Sequence, residues 1–206
     1  MSELLPTKAT FAPGEPIEIE LRAVSGEVEV SIMHLDRSLQ HQRVSRDGIV
    51  RFDPLPEGGY GVQAGDASTA VEVLREPLSR ARYGFVSHYE PGRTVDGVSE
   101  QLRRLHLNAV QFYDWMYRHA KLLPPTETFV DQLGQTVSLD TVRRLAAAVR
   151  DAGSLPIAYA AVYAAGRDEW PQWQQEGLYH PDGSAWTLGD DFLWNVDPTS
   201  ERWLDH

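Results

Sequence analysis

The chain has 206 residues, 42% of them apolar and 24% charged, which is enough for one large domain or two small ones. Its formal net charge of −11 disfavours contact with phosphate backbones, so we expect no nucleic-acid partner and favour a neutral ligand. The absence of cysteine excludes disulfides and thiolate metal sites, and no apolar run is long enough to suggest a membrane partner.

The first residues, MSELLPTK, contain neither a basic segment nor an apolar one of the kind found in secretory signals. We therefore expect a cytoplasmic protein. A secreted protein without cysteine remains the alternative.

The region up to residue 76 alternates apolar and polar residues over short stretches separated by glycine and proline. Turn pairs such as Pro13-Gly14, Asp47-Gly48 and Gly58-Gly59 punctuate it. This pattern predicts an immunoglobulin-like antiparallel β-sandwich over residues 1–76. The predicted strands are residues 17–21, 28–32, 49–52, 60–64 and 70–74.

From residue 80 onward the pattern becomes strand, helix, strand, helix. Asp96 is predicted to cap a helix whose apolar stripe is Val98, Leu102 and Leu105. Ser138 is predicted to cap a longer helix, and Gly153 to end it. The predicted strands are residues 83–88, 108–113 and 155–160, with a short extra strand at 192–196.

Strands that alternate with helices indicate α/β architecture with parallel pairing. We interpret residues 80–206 as the first three βα units of a (β/α)8 TIM barrel. Three strands cannot close a barrel, and a predicted last helix, capped by Thr199 or Ser200, is interrupted at His206. We therefore expect a truncated barrel whose remaining units lie beyond His206; an open doubly wound domain is the alternative.

Ligands of parallel α/β proteins meet the carboxyl ends of the strands, and here those ends carry aromatic rings, imidazoles and a carboxylate. Such a combination suits sugars, which stack on aromatic faces and donate hydroxyl hydrogen bonds to carboxylates. The candidate substrate-binding residues are Asp114, Tyr113, Trp115, His88, His119, Tyr163 and Tyr159.

Several candidates have structural alternatives. Asp114 could cap a turn, either Tyr113 or Trp115 could pack inside the barrel, and Tyr159 could belong to the core. The two histidines could form hydrogen bonds without touching sugar. Asn195 and Asp197 could line the rim or cap the following helix, and capping is favoured.

We expect neither a metal nor any other cofactor. The scattered positions of His88, His119 and His180 lack zinc-ligand spacing. Asp182, Asp190 and Asp191 lack the register of a calcium-binding loop.

The stretch Gln111-Phe-Tyr-Asp-Trp-Met-Tyr-Arg-His119 resembles the second-strand motif of glycoside hydrolase family 66, the dextranases and cycloisomaltooligosaccharide glucanotransferases. Segments at 83–89, 158–166 and 195–198 resemble the neighbouring segments of that family in the same order. Residues 11–16 resemble the sandwich that precedes its barrel.

The resemblance implies retaining cleavage or transfer at α-1,6-linked glucose, performed by two carboxyl groups on later strands. No segment here matches those carboxyl groups. Residues 131–134 resemble the nucleophile segment, but they lie before a helix instead of at a strand end, so Asp131 is rejected as the nucleophile.

We therefore expect a glucan-active parent enzyme and no activity from these 206 residues alone. One alternative is a non-catalytic carbohydrate-binding protein with a partial barrel rim. Another, an unrelated α/β hydrolase, lacks support because no Gly-x-Ser-x-Gly motif is present.

Overall fold

The computed structural model describes residues 2–119, 121–189 and 192–203. Within these ranges the chain is mostly β-structure with few helices, and no helix is both long and apolar enough to cross a membrane. Its contacts divide the chain into two compact units. The first unit comprises residues 1–85, 95–111 and 144–157, and the second comprises residues 86–94, 112–143 and 158–206.

Two antiparallel sheets share one apolar core in the first unit, with strand orders β1-β2-β5 and β4-β3-β6-β7. Alternate side chains of the strands point into this core, as Ile17, Ile19 and Leu21 show by being almost fully buried. The strands are β1 (Glu3–Pro6), β2 (Ile17–Arg22), β3 (Val28–His34), β4 (Arg37–Val44), β5 (Gly48–Phe52), β6 (Gly58–Ala64) and β7 (Ala67–Val73).

All five strands predicted in this region are confirmed, but β1 and β4 were not predicted. Strand β4 is mostly exposed, and its sequence, Arg-Ser-Leu-Gln-His-Gln-Arg-Val, lacks apolar alternation. Pairing with β3 along its length holds it in the sheet. Its strand conformation therefore depends on its neighbour, which sequence periodicity does not record.

Three further strands form a separate sheet: β8 (Tyr83–Val86), β9 (Ala109–Phe112) and β12 (Leu155–Ala158), in the order β12-β9-β8. The amides of Ala109 and Tyr113 donate to the carbonyls of Arg82 and Val86, so residue numbers rise together along β8 and β9. The amides of Leu155 and Tyr159 donate in the same way to Asn108 and Phe112. Both pairs of strands are therefore parallel, as predicted. Helix α1 (Val98–Arg104) connects β8 to β9, and helix α2 (Leu139–Asp151) lies between β9 and β12.

The ends of the longer helix agree with the sequence prediction. The Ser138 hydroxyl accepts a hydrogen bond from the Thr141 amide at 3.4 Å, and Gly153 ends the segment with φ +70°. The predicted Asp96 cap of α1 was wrong. Gly97 occupies that N-cap with φ +77° and no side-chain cap, so its backbone conformation starts the helix.

The predicted apolar stripe of α1 was also only partly right. Leu102 is buried, whereas Leu105 is the C-cap residue and 63% exposed. The helix ends at Arg104, one residue before Leu105, so the predicted stripe runs one residue past the helix.

Polar side chains hold the first unit together by pairing. Asn108, fully buried, accepts a hydrogen bond from the Arg82 amide at 2.7 Å and donates to the carbonyls of Pro77 and Arg80. A group of ion pairs also joins α1 to β1 and β2. Its members are Glu3, Glu20, Arg22, Glu100, Arg103 and Arg104.

The second unit contains a hairpin, β10 (Thr128–Val130) with β11 (Thr136–Ser138), and a sheet in the order β13-β15-β14. The strands of this sheet are β13 (Ala164–Gly166), β14 (Thr187–Leu188) and β15 (Leu193–Asn195), all paired antiparallel. Strand β15 confirms the extra strand predicted at 192–196. Helix α3 (Trp170–Trp173) packs with Ala165 and Val196 in a small aromatic core.

The predicted last helix does not begin where expected, since residues 201–203 form a turn and residues 204–206 lie outside the described residues. The helix that Asp197 was favoured to cap therefore does not begin there, and Asp197 closes a local turn instead: its Oδ1 accepts hydrogen bonds from the amide and hydroxyl of Thr199 at 2.8 and 2.7 Å. These bonds lower the pKa of Asp197.

Candidate functional site

The loop that follows β8 is fixed by backbone contacts within the second unit. Tyr89 is 1% exposed, and its hydroxyl donates to the carbonyls of Val86 at 2.7 Å and Tyr113 at 3.0 Å. The guanidinium of Arg93 donates to the carbonyls of Ser87 and His88. The chain segments that follow β8 and β9 are therefore tied to each other by a buried tyrosine.

Two residues after these strands adopt left-handed backbone angles, His88 with φ +63° and Asp114 with φ +53°. Asp and His are among the few residues other than glycine that are enriched in this conformation. Positive φ is uncommon, and it occurs disproportionately where a side chain must be aimed at a ligand. At Asp114 the turn breaks the strand and brings the carboxyl into a cavity wall.

That cavity, about 380 Å³ in volume, lies within the second unit. Of the seven residues predicted to bind substrate, four line it. These four are Tyr113, Asp114, His119 and Tyr163. The remaining wall residues are Met116, Asp131, Gln132, Leu133, Leu188, Gly189, Phe192 and Leu193.

Two of the other three predicted residues support the cavity from outside. The Tyr159 ring packs against Tyr113 with ring centroids 4.6 Å apart, and burial, followed by its hydrogen bond to Tyr163, raises the pKa of Tyr159. The Trp115 indole donates to the Tyr159 carbonyl at 2.9 Å. Of the pair flanking Asp114, Tyr113 faces the cavity and Trp115 fixes the neighbouring segment.

The seventh predicted residue, His88, is exposed and does not line the cavity. Its Nδ1 lies 2.9 Å from the Ser87 hydroxyl. His119, in contrast, is buried in the wall, with its ring centroid 6.4 Å from that of Tyr163.

Asp131 is the wall residue of greatest chemical interest that sequence reasoning did not place there. Its Oδ1 accepts hydrogen bonds from the amides of Leu133 at 2.9 Å and Gln135 at 2.7 Å, which closes the β10–β11 turn. The residue is 5% exposed, and burial raises its pKa in spite of these bonds. The geometry gives this carboxylate a turn-closing role; its rejection as nucleophile stays a prediction.

The hairpin that carries Asp131 could have been found in the sequence. Thr128-Phe-Val130 and Thr136-Val-Ser138 are rich in β-branched and aromatic residues, and an Asp-x-x-Gly turn lies between them. No comparable pattern marks the other cavity residues Leu188, which ends the two-residue strand β14, Gly189 and Phe192.

The charge of Asp131 acts on Asp114 in the same cavity wall. Burial raises the pKa of Asp114, and the negative charge of Asp131 raises it further. Two carboxyl groups in one cavity wall, with aromatic rings beside them, can accept hydrogen bonds from a neutral hydroxylated ligand while the rings contact its apolar faces.

Within the described residues, no group of three His, Asp or Glu side chains is close enough to hold a metal ion. Asp182, considered for calcium, instead accepts hydrogen bonds from the amide and hydroxyl of Ser184. Asp190 and Asp191, the other members of that candidate site, lie outside the described residues.

Parallel strand and helix units with a cavity of this composition after their strand ends are typical of β/α proteins that act on small ligands. The model of glycosyl hydrolase family 66 matches residues 57–206. The chain belongs to glycosyl hydrolase family 66, which confirms the resemblance read from the sequence.

Two curated relatives from Niallia circulans, each a cycloisomaltooligosaccharide glucanotransferase, are 27% and 26% identical to this chain. The alignments cover 97% and 95% of the chain and 24% of each relative, so the chain spans about a quarter of their length. The crystal structure of a Paenibacillus sp. cycloisomaltooligosaccharide glucanotransferase complexed with cycloisomaltoheptaose is 25% identical, with a TM-score of 0.76. It is matched over 98% of this chain and 35% of its own.

Proposed function

We propose that these residues form the N-terminal portion of a retaining enzyme that hydrolyses or transfers α-1,6-linked glucans, with the cavity beside Asp114 binding glucosyl units. Family membership and the activity named for the relatives support the reaction class. The oligosaccharide bound by the Paenibacillus sp. protein supports the ligand class.

The observation that carries the proposal is the position of Asp114. Its carboxyl is half-buried in a cavity wall that also contains Asp131. Burial and the negative charge of Asp131 both disfavour ionisation of Asp114. Sugar hydroxyls that donate to Asp114 would replace the hydrogen bonds that burial removes. Hydrogen bonds to charged groups are worth about 1.5–3 kcal/mol each, so one such residue can account for much of the affinity for a sugar.

We assign roles to the remaining residues on their placement. Tyr113 and Tyr163 offer ring faces to the sugar, and His119 offers a polar edge in the same wall. Tyr159 and Trp115 position Tyr113 and the segment after it. His88 stays a prediction, as a ligand contact at the mouth of a more complete site.

For the fold we propose an immunoglobulin-like sandwich over residues 1–76 and the first three units of a (β/α)8 barrel over residues 80–206. The parallel order β8, β9, β12, with a helix in each connection, supports the barrel assignment. We further propose that the two reacting carboxyl groups belong to later strands, as the family resemblance implies, so that the cavity described here binds and orients the glucan.

Calorimetric titration of the chain with isomaltose tests the proposal, with Asp114→Asn as the informative variant. Asparagine tolerates the left-handed backbone and keeps the side-chain shape, so the variant removes only the charge. We expect affinity to fall by about tenfold or more, since 1.4 kcal/mol corresponds to a factor of ten. In a complete enzyme, Asp114→Ala should lower kcat/KM by about 10² to 10⁴.

Asp140→Asn, an exposed aspartate at the start of α2, is the matched control and should bind isomaltose as the parent chain does. Equal affinity for the parent chain and Asp114→Asn would remove Asp114 from the site. Failure of the parent chain to bind any isomalto-oligosaccharide would overturn the proposed ligand class.

A further inference from the structure

A second aromatic surface lies in the same unit as the cavity and has no part in the roles assigned so far. It consists of Trp186 and His180, whose rings stack with centroids 4.1 Å apart and planes 20° apart. Trp186 is 48% exposed although His180 covers part of it. An indole stacked on one side and this exposed has its other face turned to solvent.

The backbone around Trp186 is fixed on both sides. Its amide donates to the Leu178 carbonyl at 2.8 Å, and its carbonyl accepts from the Asn195 amide at 2.9 Å. The bridge between Tyr179 and Ala185 closes the hairpin, and the Tyr179 hydroxyl donates to the Gln174 carbonyl at 2.6 Å. A binding surface held in this way loses little conformational entropy when a ligand settles on it.

The tip of the hairpin is equally ordered. The His180 amide donates to the Ser184 carbonyl at 2.8 Å, and Asp182 accepts two hydrogen bonds from Ser184 across the turn. Beneath the hairpin, Ala185 packs on the aromatic core formed by Trp170 and Trp173. His180 is thus held in place beneath the indole.

Strand geometry connects Trp186 to the cavity. Trp186 immediately precedes β14, and Leu188, the second residue of that strand, lines the cavity. Residues two apart in an extended strand lie on one face, separated by about 7 Å. The exposure pattern agrees, because Trp186 and Leu188 are exposed whereas Ala185 and Thr187 are partly buried.

A cavity of about 380 Å³ is small beside an oligosaccharide of several glucosyl units. A longer glucan held at Asp114 must therefore continue over the surrounding surface. Trp186, two residues before Leu188 in the chain, offers an exposed aromatic side chain next to that wall residue.

We propose that Trp186, backed by His180, is a distal glucosyl-binding platform that extends the cavity and selects for longer isomalto-oligosaccharides. The inference rests on the proposed function, since the same glucan would occupy both places. The apolar face of a glucosyl ring would lie against the outer face of the indole, as sugar rings do on exposed aromatic side chains.

The test compares isomaltose with linear isomaltoheptaose by calorimetric titration of the whole chain. The parent chain should bind isomaltoheptaose more tightly than isomaltose. Trp186→Ala should weaken isomaltoheptaose binding by about tenfold and leave isomaltose unchanged. Trp186→Phe, which keeps a flat ring, should retain most of the affinity, whereas Trp186→Leu should behave as the alanine variant does.

Tyr83→Ala is the matched control, because Tyr83 is 52% exposed but lies in β8 of the first unit. It should bind both sugars as the parent chain does, and circular dichroism should show all variants folded. Unchanged isomaltoheptaose affinity in Trp186→Ala, or full recovery in Trp186→Leu, overturns the platform.

The two proposals fail differently. Asp114→Asn should weaken both sugars, and Trp186→Ala only the longer one. If the parent chain and Trp186→Ala bind both sugars equally well, the platform alone is refuted. If the parent chain binds neither sugar, the platform and the proposed function are both refuted.

Discussion

Glu100 in the first unit and Asp114 in the second differ in how their surroundings treat a negative charge. Hydrogen bonds from Arg22 and Arg104 lower the pKa of Glu100 to about 2. Burial, then the charge of Asp131, raises the pKa of Asp114. A carboxylate matched by arginines serves the fold, whereas one placed in a cavity beside a second carboxylate is suited to accept hydrogen bonds from a ligand.

Buried amide side chains of the two units show a similar contrast. In the first unit the Asn108 amide is completely paired with backbone partners. In the second unit the buried Oε1 of Gln132 and Oδ1 of Asn195 have no hydrogen-bond partner among the described residues, and Gln132 lines the cavity. Substitution of Asn108 should therefore affect stability, and substitution of Gln132 should affect binding.

The largest effect on stability is expected at Asn108. Asn108→Ala would remove a fully buried amide that pairs with the Arg82 amide and with the carbonyls of Pro77 and Arg80. We expect the free energy of unfolding in urea to fall by about 2–4 kcal/mol, because unpaired buried polar groups cost about 1–3 kcal/mol each. Isomaltose affinity of the folded protein should not change.

Asn195→Ala is the control for this substitution, since it removes the same side chain where the oxygen has no partner among the described residues. It should cost less than about 1 kcal/mol. Equal losses in the two variants would contradict the distinction between paired and unpaired amides.

A smaller effect is expected on the pH dependence of stability, which should have opposite signs for Asp114 and Glu100. The raised pKa of folded Asp114 means that its contribution to stability is present below about pH 4 and is lost as pH rises through the folded value. Asparagine stays neutral at every pH, so Asp114→Asn does not lose this stability as pH rises. Its melting temperature should exceed that of the parent chain by about 1–3 °C at pH 7, and the two should converge near pH 3.

Glu100→Gln should show the opposite behaviour. The lowered pKa of folded Glu100 gives stability that is present above its ordinary value and is lost as pH falls toward about 2. The variant should therefore melt below the parent chain at pH 7, with the gap closing in acid. Differential scanning calorimetry from pH 2.5 to 7.5 measures both; shifts of the same sign at pH 7 would break the comparison.

The smallest effect concerns salt. The ion pairs of α1 with β1 and β2 are partly exposed and should be screened, so 1 M NaCl should lower the unfolding free energy by less than about 1 kcal/mol relative to 50 mM. Arg104→Gln, which removes the pair with Glu3 in β1 and the pair with Glu100 within α1, should reduce that dependence. Isomaltose affinity should stay constant across the same range, because a neutral ligand carries no charge to screen.

Much of this organisation could be predicted from sequence where periodicity is strong. The alternation in residues 17–21 and the Ser138 to Gly153 helix were read correctly, because local propensity and burial agree there. Strand β4 was missed because pairing with β3 outweighs its own polar sequence. Asp96 was wrong because glycine's left-handed conformation began the helix one residue later.

The residues of the candidate site were likewise predictable only where a local sequence pattern marks them. Tyr113, Asp114 and His119 lie within one continuous motif beside a strand, so chain proximity alone brings them together. Asp131 comes from the β10–β11 hairpin, Leu188 from the two-residue strand β14, and Phe192 from the position just before β15. Their arrival in the wall depends on tertiary packing, which a single sequence does not encode as a local pattern.

The positive φ angles of His88 and Asp114 have a consequence for how tolerance to mutation would be interpreted at these positions. In a saturation library screened only for folded protein, glycine and asparagine should be enriched at both sites, while valine, isoleucine and threonine are depleted. A library screened for sugar capture should then reject glycine at 114. Backbone geometry would thus shape the permitted residues before ligand chemistry does, and only the difference between the two screens would isolate the chemistry.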